Sequence, residues 1–246
     1  MRALQLSPDT PQTFADNGYL MLPDLVPSSA LDQLRAETDR VLWRLLSRMV
    51  ATRTLDPRIT WWRLTSGHPY VLKIKPVLDL APEAAAVARG AESGRLAADL
   101  LGGPGRLMED KLMIKQKVNV AAGWAALPVL GEEVCKHTDA AYFEARGYDR
   151  VLTVALCLDD CTDEAGALMV WPRTHRQAVE QVPTPDRGPV VPDHAAPDAD
   201  AVLLEAPAGT VLVWDARLVH ASGPNRSGSP RRLLVLGYTP ADSDAG

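Results

Sequence analysis

Leu31, Leu34, Val41, Leu42, Leu45, Leu46 and Met49 recur at near-helical spacing. That stripe predicts one long helix, packed on one side, that runs to about residue 50. Ser29, with Asp32 three residues on, predicts its N-terminal cap. Before it, Asn17-Gly18 marks a turn that feeds a short apolar strand. Residues 82–101 are Ala-rich and predict a helix in two pieces, parted at Gly90 and closed by Gly102-Gly103. The stretch between, residues 53–80, keeps neither period and predicts irregular chain.

From residue 107 the apolar period changes to two. In "LMEDKLMIKQKVNV" this alternation puts Lys115, Lys117 and Asn119 on one face of a strand. "RVLTVALCLDD", "AGALMVWP", "GTVLVWDARLVH" and "RRLLVLGY" predict further strands, the second entered by Gly166. Residues 180–200 are rich in Pro and Asp and predict a loop or flap. Short strands at turn-marked intervals behind helices indicate a mainly β fold with flanking α-helices, a double-stranded β-helix of the jelly-roll, cupin-like kind. The expected layout is one domain over 1–246, with a helical flank at 28–101 and a β core at 107–240.

The 246 residues suffice for one sizeable core, and 46% hydrophobic with 23% charged residues is an ordinary globular balance. A net charge of −5 argues against a nucleic-acid surface. No apolar run reaches bilayer length, and the opening "MRALQLSPDT" lacks a signal-peptide core, so the expectation is a cytoplasmic protein without membrane contact. Cys135, Cys157 and Cys161 form an odd, sparse set that fits a reducing compartment. The C-x3-C spacing of Cys157 and Cys161 lacks the second pair of a zinc site, and Cys157 belongs to an apolar strand.

His137 and Asp139 stand two residues apart in "EVCKHTDAAYF". In extended chain they point the same way, so an imidazole and a carboxylate can meet one ion. His220 ends the apolar run "TVLVWDARLVH", where an imidazole at the rim of a buried strand needs a partner. Two His and one carboxylate on one face of an octahedron is the non-haem Fe(II) arrangement, which leaves room for a chelating co-substrate and O2. Arg231 lies eleven residues past His220, beyond a Gly- and Pro-containing turn, and so starts the next strand, running back beside the first. Its guanidinium can fork onto a carboxylate, and the distal end of 2-oxoglutarate supplies one. Arg226, within the turn, and Arg232, on the opposite face, are rivals for that task.

The pieces "FADNGYLMLPDLVPSSALDQLR", "HTDAAYF", "DDCTDEAGALMVWPRTHR", "AGTVLVWDARLVHASGPNRSG" and "PRRLLVLGY" run in this order from residue 14 to 238. Together they resemble the phytanoyl-CoA hydroxylase family of Fe(II)/2-oxoglutarate dioxygenases. The resemblance implies that His137, Asp139 and His220 hold iron, that Arg231 with Ser222 binds 2-oxoglutarate, and that Lys115 or Lys117 adds a co-substrate contact. It implies a hydroxylase, or a related C–H oxidase, acting on a small molecule, and the family's habits point to secondary metabolism. Halogenating relatives carry a small residue at the position of Asp139, so its carboxylate favours oxidation over halogenation. A halogenase, desaturase or cyclising oxidase of the same fold, or a metal-binding jelly roll without 2-oxoglutarate, is the alternative. "PRTH" stands where relatives usually have Pro-Gly-Ser-His, and His175 is expected to be structural. The segment before the metal motif departs from the relatives' Lys-Pro-Pro-Gly turn, so the pocket wall there is this chain's own.

The substrate pocket is the least defined part. Trp61, Trp62, Arg63 and Lys73 set aromatic groups among cations, which suits an acidic or flat ligand and equally an amphipathic edge. Tyr142 is a further candidate for the pocket wall. His68, before Pro69 in a turn, is expected to be structural and His194 solvated.

Overall fold

In a computed structural model, residues 6–63, 69–115, 133–185 and 188–242 are described, without the side chains of residues 62, 63, 69 and 70. They form two facing β-sheets with helices on one outer side. The larger sheet has seven strands in the order β1 (Tyr19–Leu22), β11 (Val211–Asp215), β6 (Leu152–Cys157), β13 (Arg231–Pro240), β4 (Gly105–Lys115), β3 (Pro69–Ile74), β2 (Ile59–Arg63). The smaller has β10 (Val202–Leu204), β7 (Leu168–Val170), β12 (His220–Ser222) and β5 (Val134–His137). Within both sheets all recorded pairings are antiparallel. This is the jelly-roll arrangement.

Period-two alternation assigns the two faces of the larger sheet. Leu112 and Ile114 of β4, Val154 and Leu156 of β6, and Leu234 and Leu236 of β13 pack outward on the helices. There they meet Leu31, Leu34, Val41 and Leu45 of α2 (Ser28–Thr52), Ala84 of α3 (Pro82–Arg89) and Leu96 of α4 (Ala91–Leu101). Ala155, Cys157, Leu212, Leu233 and Val235 face inward, against Leu168, Val170 and Leu204 of the smaller sheet. Buried Glu37 of α2 accepts the Glu83 and Ala84 backbone N–H groups at 3.0 and 2.9 Å. A carboxylate there satisfies the orphan donors at the start of α3 and favours its dipole.

Several local expectations are corrected. The N-cap of α2 is Pro27, with no side-chain bond, and Asp32 instead pairs with Arg35 one turn on at 3.0 Å. A short helix α1 (Thr10–Asn17) precedes the Gly18 turn, where φ is 83°. Residues 59–63 and 69–74 are not irregular: β2 and β3 pair as antiparallel strands, with a bulge between Thr60 and Trp61. The Pro-rich stretch holds a two-stranded hairpin, β8 (Val182–Thr184) and β9 (Gly188–Val190). The break between α3 and α4 falls at Gly90, and α4 closes at Gly102 in the left-handed region, as the Gly pattern indicated. No helix among the described residues is long and apolar enough to cross a membrane.

Candidate active site

His137 and His220 are cross-strand neighbours on β5 and β12, with ring centroids 4.2 Å apart. Each ring is pinned by the carbonyl two residues back: His137 Nδ1 lies 2.8 Å from the Cys135 oxygen, and His220 Nδ1 3.0 Å from the Leu218 oxygen. A carbonyl only accepts, so Nδ1 carries the proton and Nε2 presents its lone pair. Both Nε2 atoms lie 3.8 Å from Asp139, one from each carboxylate oxygen. One ligand atom from each of the three residues lies within 4.8 Å of the other two.

Asp139 is not the next inward residue of a strand. β5 ends at His137, and Asp139 has helical backbone (φ −64°, ψ −29°) at the start of α5 (Ala140–Phe143). The turn still carries the carboxylate back to the rings. Its Oδ2 accepts the Thr153 hydroxyl and the Trp214 indole N–H, both at 3.1 Å. These two donors come from β6 and β11 of the other sheet and were not singled out in the sequence. The available signal was a Trp on the inward face of a strand just before the distal His. Similarly, His220 does not end the strand that contains Trp214. β11 stops at Asp215, a turn follows, and His220 opens β12 in the smaller sheet.

Burial, then the adjacent His220, lowers His137 from 6.5 to about 4, so it is neutral near pH 7. Burial works against the Asp139 charge, but His220, Lys111, His137 and the Trp214 N–H outweigh it and hold the carboxyl well below its usual range. Two Nε2 lone pairs and one charged oxygen, each held from behind, match the donor set and support of an Fe(II) site.

Arg231 opens β13 directly opposite Lys115 of β4, within the larger sheet and not beside β12. It is buried, and its Nη2 donates to the Gly166 carbonyl at 2.6 Å. Gly166 has φ +74°, and a Cβ there would overlap the Gly223 carbonyl and crowd the Lys115 ammonium. Lys115 donates to the Ser222 carbonyl at 3.2 Å and to the Gly223 carbonyl. It therefore ties β4 to the end of β12. Ser222, Arg231, Lys115 and the metal-site triad line one cavity. Arg232 points to the opposite face, where it pairs with Asp159 at 2.8 Å and Asp39 at 2.6 Å, and Arg226 is exposed.

A second cavity, of about 420 Å³, shares His137 and Asp139 with the first and is further lined by Lys73, Lys111, Glu109, Tyr142 and Arg146. Trp61 is not part of it; its ring packs against the helix-side core. Lys117 and the side chains of Trp62 and Arg63 lie outside the described residues, as does His68. His175 is buried, with Nε2 3.1 Å from the Ala15 carbonyl, and His194 pairs with Glu180 at 2.9 Å on the surface. Cys157 and Cys161 are buried and free, with Cys157 inside the inter-sheet core.

The family model described as phytanoyl-CoA dioxygenase (PhyH) matches residues 14–233. The chain belongs to the phytanoyl-CoA dioxygenase (PhyH) family. Among curated relatives, a probable alpha-ketoglutarate-dependent hypophosphite dioxygenase of Stutzerimonas stutzeri is 32% identical over 123 residues, 47% of this chain and 43% of that protein. The L-proline trans-4-hydroxylase of Streptomyces griseoviridis is 25% identical over 252 residues, 94% of this chain and 85% of that protein. The solved structure of SnoK, a non-heme alpha ketoglutarate dependent carbocyclase from nogalamycin biosynthesis, superimposes with a TM-score of 0.72 at 20% identity. That match covers 97% of this chain and 85% of SnoK, and shows the shared fold. The family is described as a dioxygenase family, and the hypophosphite relative as alpha-ketoglutarate-dependent; membership implies Fe(II), 2-oxoglutarate and O2 as the cofactor set.

Proposed function

We propose that this PhyH member oxidises a C–H bond of a small organic metabolite, by hydroxylation or a related reaction, within secondary-metabolite biosynthesis, and converts 2-oxoglutarate to succinate and CO2. One observation carries the proposal. Two imidazoles with fixed tautomers converge on one carboxylate, beside a buried Arg whose local partner is a backbone carbonyl. Iron, 2-oxoglutarate and O2, when bound, supply the oxidising chemistry.

The protein's own residues do the rest. His137 and His220 offer Nε2, and Asp139 offers charge. Trp214 and Thr153 keep Asp139 aimed. Arg231 takes the distal carboxylate of 2-oxoglutarate as a fork, with the Ser222 hydroxyl beside it. Lys115 holds the β12 end in place and so supports that contact. Leu233 and Val235 line the same cavity and keep water from it. Asp139 fills the position that a halide needs, which favours oxygen chemistry over halogenation. The whole chain acts as one catalytic domain, since the outer face of the larger sheet packs on the helices and its inner face bears the site.

The test is anaerobic. Fe(II) plus 2-oxoglutarate should give a weak visible charge-transfer band, and the His137→Ala and Asp139→Ala variants should lose it together with tight Fe(II) retention in dialysis. A band that survives both substitutions overturns the ligand assignment.

A further inference from the structure

The second cavity has a charge excess that its described residues do not neutralise. Lys73, Lys75, Lys111 and Arg146 all line it. Among the described residues, Glu109 is the carboxylate that answers them: it pairs with Lys75 at 2.6 Å, Arg146 at 2.6 Å and Lys111 at 3.2 Å. Asp139, the other acid on the wall, belongs to the metal-site triad.

Lys73 is the odd cation. Its Cα stands opposite Met113, and Lys111 is two residues from Met113 on the same face of β4. Among the described residues Lys73 makes no ion pair or hydrogen bond, although it is half-buried on the cavity wall. Burial, with Lys111 and Lys75 nearby, pulls its ammonium below the usual range. A half-buried ammonium beside like charges is a costly element to keep unless a ligand's charge completes it.

We propose that the primary substrate carries an anionic group, a carboxylate or phosphoryl oxyanion, that seats against Lys73 with Lys111 beside it. The bond to be oxidised then faces His137, Asp139 and His220. This deepens the oxygenase assignment above and rests on it. The arrangement also keeps the two small-molecule anions apart: 2-oxoglutarate on Arg231, substrate on Lys73, with His137 and Asp139 lining both cavities and His220 only the Arg231 side.

The test uses probe pairs in which only one member carries the anionic group: benzoate with benzamide, and phenyl phosphate with phenol. Each is titrated calorimetrically, without oxygen, into protein loaded with Fe(II) and 2-oxoglutarate, which occupies Arg231. The anionic member of at least one pair should bind more tightly by about tenfold or more, and the better pair separates carboxylate from phosphoryl recognition. Lys73→Gln should erase that preference, and Lys111→Gln should weaken it. Lys73→Gln should keep the Fe(II)–2-oxoglutarate band, which reports that the fold and the Arg231 side are intact. Equal affinity within both pairs, binding of neither anion at millimolar concentration, or an undiminished preference in Lys73→Gln overturns the proposal. Absence of the band in the wild type instead sinks the oxygenase assignment. The same titrations on metal-free protein then still read the charge preference alone.

Discussion

The Trp214–Asp139 hydrogen bond is a sharp place to perturb the site without touching a ligand. Trp214→Phe keeps a ring beside His220, whose centroid lies 5.3 Å away, and deletes only the indole donor to Oδ2. Asp139 is 6% exposed, so water cannot readily replace the lost partner. A hydrogen bond to a charged acceptor contributes about 1.5–3 kcal/mol. Loss of an outer partner of a metal ligand typically weakens metal binding by about 10–100-fold, which is roughly 1.4–2.8 kcal/mol. The two ranges overlap, so the Fe(II) Kd should rise about 10–100-fold. Thr153→Val deletes the second donor on the same oxygen. The double variant should lose more than the sum of the two single losses, because only then is Oδ2 left bare in a buried site. The assay is anaerobic competition for Fe(II) against a chromophoric chelator, with circular dichroism to confirm the fold. An Fe(II) Kd within about twofold of wild type in Trp214→Phe would refute the claim that this donor aims the carboxylate.

Three further outcomes follow from the same geometry. Arg231→Met should weaken 2-oxoglutarate binding strongly in calorimetry, whereas Arg232→Met should leave it unchanged and cost roughly 3 kcal/mol of stability, about 6–12 °C in Tm; the reverse pattern would move the clamp to Arg232. For pH, the folded His137 sits at about 4 against 6.5 in the unfolded chain, so its contribution is full above about pH 6.5 and is lost as pH falls toward about 4. Urea melts of metal-free protein should show that acid loss, and His137→Gln should flatten it; an unchanged slope counts against a neutral, buried His137. Gly188→Val places a side chain at φ +72° against the Tyr142 hydroxyl, a strain of roughly 1–2 kcal/mol, and should lift the β8–β9 hairpin. Limited proteolysis should then cut within residues 182–190 faster than in wild type, and equal cleavage rates would mean that the hairpin does not dock on Tyr142.

Much of this was legible in the sequence where one physical signal dominated. The α2 stripe is long and regular, and Gly102 ends α4 in the left-handed region that glycine adopts without penalty. Period-two alternation separated the two faces of β4 and β13, and put Arg231 and Arg232 on opposite sides. The β2–β3 pair was hidden because its aromatic and basic residues face two unlike environments: Trp61 turns to the helix-side core, while Lys73 turns to the cavity. A bulge at Thr60 breaks the alternation that would have marked it. The β8–β9 hairpin was masked by Pro183 and Pro189, which are tolerated because among the described residues the pair forms a sheet of two strands. Trp214 and Thr153 were silent because their role exists only once two strands of the larger sheet bring them to a turn that follows β5. The same holds for Glu109, which read as one more polar residue on an alternating strand and in space is the hub for three cations.

The alternation in β4 has a consequence for how this protein can change over generations. Asp110, Leu112 and Ile114 face outward; Asp110 receives the Val77 and Leu78 backbone N–H groups, and the other two fill the helix-side core. Glu109, Lys111 and Met113 face the cavity. Lineages can therefore trade cavity residues for new substrates at every second position, while the intervening positions keep selection on foldedness satisfied. Evolvability here is a property of strand pleating: one short segment holds two nearly independent sets of sites under selection, interleaved residue by residue.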